Sequence, residues 1–104
     1  MFPKNLKKIE FGVFSNCALT SIVLHEGLET IGTYAFCDTP LKSAVIPRSV
    51  ISISDDAFQK HIYNKRTDEI EYIENENLTM YCYPGSYGLV FAREHGYQVR
   101  NADI

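Results

Sequence analysis

The stretch LETIGTYAF, residues 28–36, decides the fold because its apolar pattern recurs at a fixed interval along the chain. The stretch LKKIEFGVF occupies residues 6–14 and VISISDDAF occupies residues 50–58, so the interval is 22 residues on both sides. A second pattern keeps the same interval, with LTSIVL at residues 19–24 and LKSAVI at residues 41–46. Repetition with a period of this length is the signature of a solenoid, in which successive coils of chain stack on one another.

Alternation within each coil predicts which side chains face the core. After residue 19 the polarity alternates with a period of two, which indicates a short strand. We expect Ile22 and Leu24 to point inward, while Ser21, Val23 and His25 point outward. A single coil cannot bury its own apolar side, so neighbouring coils must cover one another. Stacking should then align an isoleucine column at residues 9, 31 and 53 and a phenylalanine column at residues 14, 36 and 58.

The chain is predicted to be a single domain with three parts. Residues 6–58 form the repeat array, residues 59–77 a polar insertion, and residues 78–104 a C-terminal cap. The insertion is expected to be a protruding loop or hairpin. The cap should begin with a strand that points Leu78, Met80 and Cys82 inward, followed by a short helix over residues 87–95. Serine suits the N-cap of such a helix and glycine its C-terminal end, where Ser86 and Gly96 stand.

Composition and charge exclude several functions. The net charge is −3 and the isoelectric point about 5.5, whereas a nucleic-acid-binding domain is usually basic. No apolar run of about 18 residues is present, so we expect no insertion into a membrane. The first residues, MFPKNL, lack the apolar core of a signal peptide. The chain is therefore expected to be either cytoplasmic or a fragment of a longer exported protein.

The repeats resemble a known family at the level of individual residues. The stretches IGTYAF, residues 31–36, and LKSAVIPRSV, residues 41–50, are similar to the motif of the BspA-like leucine-rich repeats. The other repeats depart from that motif, with Glu10 and Ser54 in place of glycine. Because Gly32 is the only glycine of the three, glycine is not expected to be required at this position. The segment YPGSYGLVFAREHGY, residues 83–97, looks like the unit that often ends such arrays.

The resemblance implies a mainly β solenoid, a short leucine-rich-repeat right-handed β/turn superhelix with one short C-terminal helix. It also implies a protein exported to or attached to the cell surface that binds host or matrix proteins. It implies no cofactor and no catalytic residue.

A candidate binding surface is the outward row of the stacked strands, because solenoids present such regular faces to partners. The row is expected to contain Ser21, Val23, His25, Ser43, Val45, Thr79, Tyr81 and Tyr83. The alternative is that these side chains simply cover a solvated sheet. The tyrosines of the C-terminal half, at positions 72, 81, 83, 87 and 97, are expected to pack in the core with their hydroxyl groups at its rim.

Catalytic and metal-binding patterns are weak. Cys37 could pair with His25 or His61, but no local motif supports nucleophilic catalysis. The three cysteines, Cys17, Cys37 and Cys82, show no zinc-ligand spacing and are expected to be buried thiols. We therefore expect a non-enzymatic protein-interaction or adhesion module. The alternative is a structural spacer, cytoplasmic or not, that self-associates through the exposed N-terminal coil at residues 6–14.

Overall fold

The computed structural model describes residues 6–103, which form a β-solenoid of about four turns with one short helix. The predicted fold class is confirmed. In chain order the elements are β1 (Lys8–Ile9), β2 (Ser21–Val23), β3 (Thr30–Ile31), β4 (Ser43–Val45), β5 (Ser52–Ile53), β6 (Gln59–Asn64), β7 (Glu69–Glu74), β8 (Thr79–Cys82), α1 (Tyr87–Glu94) and β9 (Gln98–Asn101).

Two parallel sheets run along the solenoid. One has the strand order β1-β3-β5 and the other has the order β2-β4-β8-β9. In both sheets the first pairs are offset by 22 residues, since Ile9 pairs with Ile31 and Ser21 pairs with Ser43. Ser43 then pairs with Thr79, an offset of 36 residues, because the β6–β7 hairpin is inserted between the two strands. The solenoid thus continues in the same sheet after the insertion.

The core contains both predicted columns. Ile9, Ile31 and Ile53 are paired across three strands and buried. Phe36 stacks face to face with Phe14 at a ring-centroid distance of 5.4 Å and with Phe58 at 5.1 Å. We call these three rings the phenylalanine column. Phe36 and Phe58 are buried, and Phe14 is partly buried against the core. Burial contributes about 1.5–3 kcal/mol for each fully buried side chain.

The turns of the first two coils share one backbone conformation. Gly12 and Tyr34, 22 residues apart, have φ angles of 63° and 56°, and Asn16 and Asp38 have φ angles of 61° and 60°. Glycine and asparagine adopt this left-handed conformation at low cost, whereas a tyrosine there is unusual. Between coils, backbone bonds such as Phe14 N to Ala35 O, at 2.9 Å, satisfy the polar groups of these turns.

The expectation that glycine is dispensable at position 32 is wrong for the second coil. A Cβ on Gly32 would lie 2.8 Å from the backbone oxygen of Ile9. The amide of Gly32 also donates to that oxygen over 2.8 Å, so the two coils approach closely at this point. A methyl group there would require the backbone of one coil to shift.

The C-terminal helix has the predicted caps. The Ser86 hydroxyl oxygen accepts from the Leu89 amide over 3.2 Å, and Gly96 follows the helix with a φ angle of 77°. The helix buries Phe91 and Ala92 against the last coil, and Gly88 lets its backbone approach Ile46. Strand β9 then pairs with β8 and ends the four-stranded sheet.

Candidate functional site

The predicted binding residues lie on or next to the outward side of the four-stranded sheet. Their register places six of them in two straight rows: Ser21, Ser43 and Thr79 in one, and Val23, Val45 and Tyr81 in the other. Neighbouring strands in a sheet lie about 4.8 Å apart, so each row is a ladder of evenly spaced side chains. We call the surface formed by these six residues the outer face.

Exposure on the outer face decreases along the array. The side chain of Val23 is 61% exposed and Ser21 is also exposed, whereas the four residues of β4 and β8 are half-buried. The residues between them, Ile22, Ala44 and Met80, are buried on the opposite side of the sheet. The period-two alternation therefore divides each strand into a core side and an outward side, as the sequence predicts.

The last two predicted residues, His25 and Tyr83, lie beyond the ends of their strands. His25 is exposed in the turn after β2, where its carbonyl accepts from the Leu28 amide. Tyr83 is covered in part by Arg48, whose guanidinium carbon lies 4.1 Å from the ring centroid. Arg48 also lies 3.6 Å from a carboxylate oxygen of Asp103, so this end of the face is charged. Neither residue extends the two rows.

Strand β9 adds residues that the sequence does not predict for the site. Gln98 pairs with Thr79 and Arg100 pairs with Tyr81, so the hydroxyl row ends in an amide and the valine row ends in a guanidinium. The register of β9 depends on where the chain re-enters the sheet after the helix. The 22-residue repeat pattern does not encode this position.

The side chains suspected of nucleophilic chemistry do not form a pair. His61 Nδ1 lies 2.7 Å from Asp38 Oδ2 and is thus held by a carboxylate, with no bond to Cys37. The Cys37 thiol donates to the same carboxylate over 3.6 Å. Burial, together with the charge of Asp38, raises the pKa of Cys37 to about 11, so the thiol stays protonated and poorly nucleophilic. Burial raises the pKa of Cys82 to about 11 as well.

A second polar cluster joins the hairpin to the end of the solenoid. His95 Nδ1 lies 2.7 Å from Glu74 Oε2, and His95 Nε2 lies 3.3 Å from Asp55 Oδ1. The Tyr97 hydroxyl donates to the other oxygen of Glu74, and burial followed by this bond raises the pKa of Tyr97. These contacts link β7, the third coil and the C-terminal segment, which is a structural role.

The tyrosine prediction holds for one residue and fails for two. Tyr97 is buried among Phe58, Phe91 and His95, as expected for a core aromatic. Tyr72 and Tyr87 are 51% and 39% exposed, so they do not pack in the core. Tyr72 stands on β7, where alternation shows that the strand has two faces without showing which of them is covered.

Metal and small-molecule sites are poorly supported in the described part of the chain. Among residues 6–103, no group of three or more His, Cys, Asp or Glu side chains could hold a metal ion. Two open clefts have volumes of about 330 Å³ each, one at the base of the hairpin next to Asp38 and one beside β9 next to Arg93. Both lie at the lower end of the range typical of ligand pockets.

Comparison with known families agrees with the repeat geometry. A family model for the BspA type leucine rich repeat region matches residues 1–84, in six copies. The chain belongs to the BspA-type leucine-rich repeat family. The resemblance of residues 31–36 and 41–50 to that family is thereby confirmed, and α1 and β9 lie outside the matched range. The comparison with curated proteins and the comparison with solved structures each gave no match.

Membership in this family supports a general role only. Leucine-rich repeats usually mediate protein interactions and are generally non-enzymatic, and BspA-type repeats generally occur on surface or secreted proteins. Within residues 6–103, no helix has the length and apolar character needed to cross a membrane.

Proposed function

We propose that this BspA-type leucine-rich repeat chain is a non-enzymatic protein-binding module whose outer face contacts a host or matrix protein in an adhesive role at the cell surface. The observation that carries the proposal is the pair of straight rows across β2, β4 and β8. The row of Ser21, Ser43 and Thr79 offers regularly spaced hydrogen-bonding groups. The row of Val23, Val45 and Tyr81 beside it offers apolar contact area on the same sheet. A preorganised surface of this kind loses little conformational entropy on binding.

The chain offers a matched pair of variants for the test. Val23 and Ile51 are both β-branched and are 61% and 65% exposed, but Val23 lies on the outer face and Ile51 precedes β5 of the other sheet. Immobilised protein is exposed to an extract of host surface and matrix proteins, and captured proteins are quantified by mass spectrometry. We expect Val23→Glu to reduce capture by about tenfold, which is the loss of one good contact in an interface, while Ile51→Glu retains it.

Equal capture by the two variants, or no capture by the wild type, would contradict the outer face as a binding surface. The thermal unfolding of both variants is measured alongside, because a charge on an exposed strand residue should leave the fold intact. Capture of proteins confined to the cytoplasm would contradict the proposed surface location and support the cytoplasmic alternative.

A spacer that self-associates is the second candidate, because β1 and β2 each pair on one side only within residues 6–103. An open strand edge presents unpaired backbone groups to another chain. Light scattering over a concentration series tests this candidate. A mass that rises with concentration supports self-association, whereas a monomer at the highest concentration contradicts it.

A further inference from the structure

The β6–β7 hairpin carries an aromatic face that the proposed function does not use. In an antiparallel pair, opposite residues share a face and the face alternates along each strand. The pairs His61 with Tyr72 and Tyr63 with Ile70 therefore lie on the same face. Tyr63 and Ile70 are 57% and 60% exposed, so this face is open to solvent.

The same apolar surface continues from the hairpin onto the first two coils. The Tyr72 ring lies 5.6 Å from the Tyr34 ring and 6.2 Å from the His61 ring, measured between centroids. The Tyr34 ring in turn lies 5.8 Å from Phe11, which is 71% exposed. We call this continuous surface the aromatic strip; it consists of Phe11, Tyr34, His61, Tyr63, Ile70 and Tyr72.

An exposed surface of this kind is unusual for a small protein. Scattered apolar residues are common on protein surfaces, but contiguous patches usually mark an interaction site. Tyr34 also has a left-handed φ angle of 56° at the position where the preceding coil has Gly12. A bulky residue in this conformation is unfavourable, and such strain is often retained at functional sites.

Carboxylates border the strip at three points. Asp38 accepts from His61, and Asp68 accepts from the Tyr63 hydroxyl. At Tyr34, desolvation first and the charge of Asp56 second raise the pKa of the hydroxyl. The bond to Asp68 raises the pKa of Tyr63. Among the described residues, no lysine or arginine forms an ion pair with any of the three.

Within residues 6–103, the one cationic side chain that can pair with these carboxylates is His61, whose Nδ1 lies 2.7 Å from Asp38 Oδ2. Lys65 and Arg66 stand in the same turn as Asp68, between β6 and β7, and make no ion pair within residues 6–103. Exposed aromatic faces next to carboxylates favour cations, because the ring quadrupole and the carboxylates attract the same charge. A contact of this kind occurs within the chain, where Arg48 lies over the Tyr83 ring.

We propose that the aromatic strip is a second binding surface, which takes an extended, arginine-rich segment of a partner protein. Guanidinium groups lie over the rings of Phe11, Tyr34 and Tyr72, and Asp38 and Asp56 attract them. Arginine suits this site better than lysine because its planar group stacks on aromatic rings while still donating to carboxylates. No residue of the strip belongs to β2, β4, β8 or β9, so this surface is separate from the outer face.

The probe is a fluorescein-labelled decapeptide in which arginine and valine alternate, with a glutamate–valine peptide and a lysine–valine peptide of the same length for comparison. Binding to the complete chain is measured by fluorescence anisotropy, and the contact surface by ¹⁵N chemical-shift changes. We expect the arginine peptide to bind more tightly than the other two, with shifts concentrated at Phe11, Tyr34 and Tyr72.

Variants separate the strip from general attraction between a basic peptide and an acidic protein. Phe11→Ala and Tyr72→Ala should each weaken binding by about two- to fivefold, which is the usual worth of one exposed cation–π contact. Ile51→Ala removes an equally exposed apolar side chain outside the strip and should leave binding unchanged. Val23→Glu should also leave binding of the arginine peptide unchanged. The experiments therefore test binding at the outer face and binding at the aromatic strip separately.

Three outcomes would overturn the proposal. One is equal affinity for the arginine and glutamate peptides. Another is binding that is unaffected by both Phe11→Ala and Tyr72→Ala. The third is a shift pattern centred on the other face of the hairpin, at Glu69 and Glu71, which would indicate simple charge attraction.

Discussion

Two ladders of aromatic rings in this molecule have nearly the same spacing and opposite surroundings. In the phenylalanine column the centroids lie 5.1–5.4 Å apart, and in the aromatic strip the rings of Phe11, Tyr34 and Tyr72 lie 5.6–5.8 Å apart. Phe36 is 1% exposed, whereas Phe11 is 71% exposed. Ring contact alone therefore does not reveal the role of an aromatic residue, because the area removed from water supplies most of the stabilisation.

The different burial follows from the position of each ring in the coil. Phe14, Phe36 and Phe58 occupy one repeat position and share the interior with Ile9, Ile31 and Ile53. Phe11 and Tyr34 stand in the turn segments that leave β1 and β3, and Tyr72 reaches Tyr34 from an inserted hairpin. The column is thus built by the repeat, while the strip is completed by the insertion.

Replacing the central ring of the column should have the largest effect. Phe36→Ala removes a buried ring that stacks on both sides, and such truncations cost about 3–5 kcal/mol. A small solenoid has little stability to spare, so we expect a large drop in the urea midpoint or loss of the folded state. Phe11→Ala is the matched control and should unfold close to the wild type. Similar midpoints for the two variants would show that the column does not hold the coils together.

A smaller loss is expected where the first two coils meet. Gly32→Ala places a methyl group 2.8 Å from the Ile9 backbone oxygen, and such overpacking costs about 1–3 kcal/mol. The control is Ser54→Ala, at the same repeat position in the third coil, where a Cβ is already present and one contact from Ser54 Oγ to Thr33 Oγ1, 3.3 Å long, is lost. Urea unfolding of both variants measures the difference. A Gly32→Ala protein as stable as Ser54→Ala would mean that the coils separate without cost.

These two substitutions also show how far the sequence predicts the fold. The 22-residue interval predicts Phe36 as a core residue because stacking repeats the environment of each position. It does not predict the need for Gly32, because the close approach to Ile9 is a property of two coils together and the other coils have Glu10 and Ser54 there. The repeat period shows which positions are equivalent, but it does not show how closely the backbones of neighbouring coils approach at those positions.

The two candidate surfaces also differ in how far the sequence predicts them. Alternation along β2, β4 and β8 predicts which residues point outward, so the outer face can be named from the sequence. The aromatic strip could not be predicted, because the hairpin leans on the second coil through Tyr34 and through the bond from His61 to Asp38. Residues 38 and 61 carry no shared pattern, and their contact depends on the direction in which the insertion leaves the solenoid.

The attachment of the hairpin at Asp38 should depend on pH. Burial alone would raise the pKa of Asp38, but hydrogen bonds from the His61 amide and ring, with the charge of His61, outweigh burial and lower it below the ordinary 3.8. A lowered pKa means that the ionised carboxylate stabilises the fold above about pH 4, and that this contribution is lost as the pH falls through the folded-state value.

The substitution Asp38→Asn tests this attachment. We expect the variant to be less stable than the wild type by about 1 kcal/mol near pH 6, as for loss of hydrogen bonds to a charged group at a partly exposed site, and the difference to shrink near pH 2. Urea unfolding at the two pH values measures it, with the exposed Glu29→Gln as the control. A difference that stays constant or grows at low pH would contradict the role of the carboxylate.

The smallest loss of stability is expected from a substitution in the aromatic strip. Tyr72→Ala removes a ring that contacts Tyr34 and His61 but is already half in water, so we expect a loss of about 0.5–1 kcal/mol, the worth of an aromatic pair with little burial. Hydrogen exchange distinguishes local from global loosening: faster exchange should be confined to the β6 and β7 amides, while the solenoid strands stay protected. If Tyr72→Ala instead costs as much as Phe36→Ala and exposes every strand, the strip is part of the folding core. Its exposed rings would then have a structural explanation and would no longer support binding of an arginine-rich partner.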